Sequence, residues 1–248
     1  MIETLYSSLG QDSISADVEN SLLDSQSGIH EVTLTKSGYS FLPNASQHNV
    51  PAWTIFALFF MVISLGSNMV KEKQEGSFVR IKTLPTSYFM ALLSKQITYM
   101  VVAIVQVFVI FSIGIWVFPS LDLPALNMPG SMWALTLVTV FTALSAISYA
   151  IFIGVFANTQ EQANGIGAVS VVILAAIGGI MVPDFVMPSF IQKIMVVSPL
   201  HWCLEAYYEL FLEGGAMSDI YISIVPLLFF SLILQSFAIV GLKRKNLI

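Results

Sequence analysis

Residues 51–70 read PAWTIFALFFMVISLGSNMV, a run without Asp, Glu, Lys or Arg. Crossing about 30 Å of hydrocarbon takes roughly 20 apolar residues in a helix, because only a helix satisfies its own backbone polar groups there. Four more uncharged runs follow, near 97–118, 131–156, 165–182 and 220–242. The one at 165–182 is the shortest and the richest in glycine (Gly165, Gly167, Gly178, Gly179). The expected fold is therefore an all-α integral membrane protein, a polytopic bundle of about five transmembrane helices.

Composition requires the same class. The chain is 56% hydrophobic and only 10% charged, with a mean hydropathy of +0.81. A soluble domain of 248 residues has too little interior to hide that much apolar surface. The single cysteine, Cys203, excludes an internal disulfide. The net charge of −5 resides entirely in residues 1–50, where Glu3, Asp12, Asp17, Glu19, Asp24 and Glu31 face only Lys36. Two regions follow: a polar, acidic extracytoplasmic segment over 1–50 and a membrane domain over 51–248.

Basic residues orient the bundle. Lys71, Lys73, Arg80, Lys82 and Lys95 lie between the first two runs, and Lys243, Arg244 and Lys245 follow the last. Lys and Arg accumulate on the cytoplasmic side of a membrane protein. The 71–96 connection and the C-terminus are thus expected inside the cell, and the N-terminus, 119–130 and 183–219 outside, in the inner or plasma membrane. Trp53, Trp116 and Trp133 fall at the outer ends of runs, where indole rings favour the headgroup zone. Residues 1–50 hold no apolar stretch of the kind a signal peptide needs. A further span upstream of Met1, on a longer chain or a separate one, is the simplest expectation for how they reach the outside.

Within the 71–96 connection, Phe78 and Ile81 are three residues apart with Leu84 following, while Lys73, Ser77 and Arg80 occupy another side. Pro85 has no N–H to donate and punctuates this short helix. Such an amphipathic helix lies in the inner interface with its basic face toward the cytoplasm. The outer connection 183–219 is broken by Pro183, Pro188 and Pro199, yet Phe185, Val186, Phe190, Ile191 and Ile194 make it too apolar for a free loop. It is expected to dip into the outer leaflet as a re-entrant helical hairpin. Beyond it, His201, Glu205, Glu209 and Glu213 recur every fourth residue. Like charges at that spacing repel by about 0.2–0.5 kcal/mol per pair, so the stripe is expected to face water.

The run Glu72-Lys73-Gln74-Glu75-Gly76, then Leu84-Pro85, then Ser94-Lys95, resembles the E-K-E-x-G-T…L…P…G-K loop of type-2 ATP-binding cassette (ABC) permeases. Ser198-Pro199-Leu200-His201-Trp202 is similar to the S-P-x-x-W element before that family's last span. The resemblance covers about residues 50–248, the C-terminal five-helix portion of a six-helix family. It implies a permease subunit of an ABC exporter, with Glu72, Glu75, Gly76, Phe78, Arg80, Ile81, Leu84 and Pro85 in a coupling helix docked on the ATPase. The outer segment itself reads either as a gate at the exit of the transport path, formed by Pro183, Pro199, Trp202, Glu205 and Glu209, or as an interfacial helix with a solvated face.

The chain has no G-x-x-x-x-G-K-[ST] run to cradle ATP phosphates and none of the hydrolase motifs H-E-x-x-H or G-x-S-x-G. ATP and Mg are therefore expected on a partner ABC ATPase, with no cofactor and no enzymatic activity in this chain. A second permease copy or homologue and membrane lipid complete the expected partners; nucleic acid is not among them. The three histidines are scattered, with no i, i+4 pair among them, so no metal site is expected. A nucleotide-independent transporter or channel and a non-transporting scaffold are the alternatives. Against a proton relay or voltage sensor stands the lack of ionisable residues within the runs.

Overall fold

The computed structural model describes residues 45–77, 80, 88–182, 187–211 and 217–244, all of them helices and their connections. Helix α1 is Ala45–Phe59 and α2 is Ser67–Gln74, joined by a π-helical turn over Val62–Gly66. Helix α3 is Tyr88–Ser112 and continues through a second π turn, Ile113–Val117. Then come α4 (Met132–Phe156), α5 (Gln160–Ile177), α6 (Ser189–Met195), α7 (Pro199–Phe211) and α8 (Met217–Arg244).

Among the described residues, four stretches are long and apolar enough to cross a membrane: Ser46–Gln74, Met90–Ser120, Met132–Phe156 and Ile220–Arg244. The polytopic all-helical bundle is as expected, but the count of five such helices is not. The run at 165–182 belongs to α5, which begins earlier, at Gln160, and ends at Ile177. Its first turns carry Gln160, Glu161, Gln162 and Asn164. The apolar remainder rises only about 20 Å, short of the hydrocarbon thickness. Gly178 and Gly179 end the helix, the second in the left-handed region at φ +88°.

Helix α4 is the axis of the bundle, 78% buried over its most apolar stretch, whereas α3 and α8 are only 22% and 28% buried. Its burial has a cost that hydroxyls offset. Thr139 meets the Tyr207 hydroxyl at 3.0 Å, Ser145 meets Ser231 at 3.1 Å, and Gln235 donates to Ser148 at 3.0 Å. Such side-chain bonds fix neighbours where no hydrophobic force separates helix from lipid. Glycines set the closest approaches. A Cβ on Gly154 would lie 2.6 Å from the Met69 Cβ, and one on Gly167 2.8 Å from a Val62 methyl.

The contacts fix directions. Gln74 lies beside Asn158, Gly66 beside Ala163, and Val62 beside Gly167, so α5 runs antiparallel to α1–α2. Ser145 lies beside Leu227, Ser148 beside Gln235, and Val155 beside Gly241, so α4 and α8 run parallel. Lys73, Lys95 and Arg244 consequently share one end, the basic end. The start of α1, the end of α3 and the start of α4 share the other, where Trp53, Trp116 and Trp133 are all exposed.

Candidate functional site

At the basic end, the tail of α2 is divided between inward and outward side chains. Glu72 is ion-paired with Lys95 of α3, both partly buried. Asn68, one turn up, donates to the Tyr99 hydroxyl at 2.8 Å. Lys73 reaches the other way: its Nζ donates to the Val155 carbonyl at 3.0 Å and to the Ala157 carbonyl at 2.6 Å. Those carbonyls close α4, where the intrahelical donors have run out and the helix dipole favours a cation. Gln74 donates to the Asn158 carbonyl at 3.2 Å.

The turn that receives these bonds is itself well fixed. Thr159 is the N-cap of α5, accepting from the Gln162 N–H at 3.1 Å, while Gln162 Oε1 accepts from the Asn158 N–H at 2.7 Å. This reciprocal arrangement is a near relative of the capping box, shifted by one residue. Sequence reading passed over it, although the T-x-x-Q spacing at 159–162 is its signature.

Outward lie Lys71, Glu75 and Arg80, all exposed, with Lys71 and Glu75 3.9 Å apart on one face. Gly76 follows the α2 C-cap at φ +73°, with nothing within 4 Å of where a Cβ would stand. Its N–H donates to the Lys73 carbonyl at 3.3 Å, and its carbonyl accepts from the Arg80 N–H at 3.2 Å. Glycine is needed there for backbone conformation rather than for space. Of the eight residues expected to couple, Glu72, Glu75, Gly76 and Arg80 are thus placed, with Glu72 turned inward. Phe78, Ile81, Leu84 and Pro85 lie outside the described residues.

At the opposite end, α6 and α7 form a short helical pair joined through Ser198. The Ser198 hydroxyl donates to the Leu174 carbonyl near the end of α5 at 2.9 Å. A Cβ on Gly178 would come within 2.9 Å of that hydroxyl oxygen. Ser198, immediately before α7, therefore docks that helix's first turn on the terminus of α5. Pro199 is buried, and Trp202 is half-buried, edge-on to Phe230 with ring centroids 6.4 Å apart.

The polar stripe of α7 does not face water as a unit. His201 is buried, its Nε2 3.7 Å from Glu205, which is exposed. Glu209 is half-buried and accepts from the Ser223 hydroxyl of α8 at 3.2 Å. A four-residue step turns slightly more than a full revolution, so the stripe drifts off the wet face onto a neighbouring helix. Tyr208, beside it, is hydrogen-bonded to His48 of α1. A small cavity lies among Gly179, Met195, His201, Leu204, Glu205 and Tyr208. Pro183 and Glu213 lie outside the described residues.

The chain matches the family described as "ABC-2 type transporter" over residues 9–212, most of its length. The chain belongs to the ABC-2 type transporter family. It is 23% identical over 197 residues to the "Probable multidrug ABC transporter permease YbhR" of Escherichia coli (strain K12), a match covering 76% of this chain and 51% of that protein. It is 29% identical over 192 residues to the "Putative transport permease YvfS" of Bacillus subtilis (strain 168), covering 72% of this chain and 75% of that protein. The chain thus spans about half the length of the first relative. As an ABC-2 membrane domain it is a multi-pass membrane protein.

Proposed function

We propose that this chain is the membrane-spanning subunit of an ATP-driven exporter, energised by a separate ABC ATPase that docks on the basic end. The observation that carries the reading is the split α2 tail: Glu72 and Lys73 are tied inward while Lys71 and Glu75, and Arg80 just beyond the helix, are exposed. An element anchored on one side and charged on the other is suited to receive a partner and fix its register. ATP and Mg belong to that partner, and a second permease copy or homologue completes the path.

The concentration of bases at this end favours a cytoplasmic location for it, in the inner or plasma membrane. The start of α1, α6 and α7 are then outside. Because α4 and α8 run parallel, the chain must return between them. We assign that fifth crossing to α5 with the segment after Gly179, and a re-entrant placement to α6–α7. Trp202, Pro199, Glu205 and Glu209, with Pro183, then form the exit gate. An apolar, amphipathic or polymeric cargo fits walls made of aliphatic, aromatic and hydroxyl side chains.

The test is affinity purification of the tagged chain from its own cells. A nucleotide-binding subunit is expected to copurify, and the double reversal E75K/R80E to reduce its recovery by about tenfold. Wild-type recovery of that subunit with the reversed chain would remove the docking assignment.

A further inference from the structure

The connection after α2 leads along the chain into α3, so sequence order suggests that a push on 71–96 is delivered to α3. The packing suggests another route. On the α3 side, the tail of α2 is held by the Glu72–Lys95 pair and the Asn68–Tyr99 bond. On the other side, Lys73 holds two carbonyls at the end of α4 and Gln74 holds the carbonyl that precedes α5. Helix α2 and the π turn before it also pack closely on α4 and α5. Gly154 of α4 leaves room for Met69 and for the Gly66 carbonyl, and Gly167 of α5 leaves room for Val62. Close-packed surfaces of this kind transmit displacement rather than absorb it.

We propose that Lys73 is a positioning residue that locks the α2 tail to the α4–α5 turn, making one rigid block of α2, the end of α4 and the start of α5. An ATPase movement received at Lys71, Glu75 and Arg80 then drives the buried axis of the bundle directly. The inference rests on the docking assignment above for the source of the movement, but the block itself does not depend on it.

The test uses the full chain assembled with its ATPase in lipid nanodiscs. Spin labels are placed at the exposed Asn68→Cys and Asn158→Cys, and their separation is measured with and without ATP. The native Cys203 is buried and stays unlabelled. In the otherwise native chain the separation is expected to be the same in both states. In Lys73→Met it becomes ATP-dependent, because the α2 tail moves and the turn no longer follows; Lys73→Arg restores the invariance. A fold defect without a positioning role would change the separation equally in both states.

A second variant covers poor folding of Lys73→Met. A Gln74→Cys/Asn158→Cys disulfide is expected to leave ATP turnover of the assembly within about twofold of its reduced form. An ATP-dependent separation in the native chain, an unaffected Lys73→Met, or turnover abolished by the disulfide and restored by reductant would each overturn the block. Failure of any ATPase to assemble with the native chain would instead sink the docking assignment.

Discussion

Glu72 is paired across the bundle with Lys95, joining α2 to α3 at the basic end. The acidic residue that the family resemblance assigns to an ATPase contact is thus engaged within its own chain. A partly exposed pair of this kind contributes about 1 kcal/mol or less. E72K or K95E alone sets like charges together and lowers the thermal midpoint in detergent, whereas the exchange E72K/K95E recovers most of the loss. Thermal unfolding of the three variants checks this, and equal losses in singles and double would refute the pairing.

Gly76 supports a second prediction. Its backbone is left-handed and its surroundings are empty, so substitution acts through φ alone. Gly76→Ala costs about 1 kcal/mol and Gly76→Asn less, since asparagine tolerates that region better. Stability of the two variants in the same detergent ranks them. A more costly Gly76→Asn would contradict the backbone argument.

Two glycines with the same substitution should behave in opposite ways. At Gly154 a methyl would stand 2.6 Å from the Met69 Cβ and 3.0 Å from the Gly66 carbonyl oxygen, while at Gly165 nothing lies within 4 Å. Gly154→Ala is therefore destabilising by about 1–3 kcal/mol through overpacking. Gly165→Ala is neutral or stabilising by up to about 1 kcal/mol through helix propensity. Thermal midpoints of both variants give the comparison.

Cys203 of α7 is fully enclosed, and burial pushes its thiol up to about 12. Only the thiolate reacts, so a folded-state pKa raised this far leaves almost none at neutral pH. Maleimide should label the chain after denaturation and not before. Labelling of the folded protein at neutral pH would show that α7 is not packed on its neighbours as described.

Much of this was legible before any coordinates. Long uncharged runs announced four of the crossings, because hydrocarbon thickness imposes a length that composition alone reveals. The run at 165–182 is not among them: it forms the apolar part of α5, whose first turns are polar and which Gly178-Gly179 stops. The order and spacing of the residues that resemble a coupling element are legible in the sequence, but not the directions of their side chains. That Glu72 faces α3 and Lys73 faces α4 depends on which helices flank α2, a tertiary fact with no local signal. The hydroxyl contacts of Thr139, Ser145 and Ser148 were similarly hidden, since serine and threonine in a lipid-length helix read as filler until their partners are known. At the other end, a period of four in His201, Glu205 and Glu209 predicts one wet face, whereas helical drift carries Glu209 onto Ser223.

Cross-linking from defined positions tests the central claim most directly. Single cysteines at Glu75 and Arg80, on the basic end, and at Trp133, on the opposite end, would be treated with a short thiol-to-amine reagent in intact membranes containing the copurifying ATPase. The account predicts adducts with the ATPase from Glu75→Cys and Arg80→Cys and none from Trp133→Cys. Adducts from Trp133→Cys alone, or none from either basic-end position while the complex stays assembled, would contradict it.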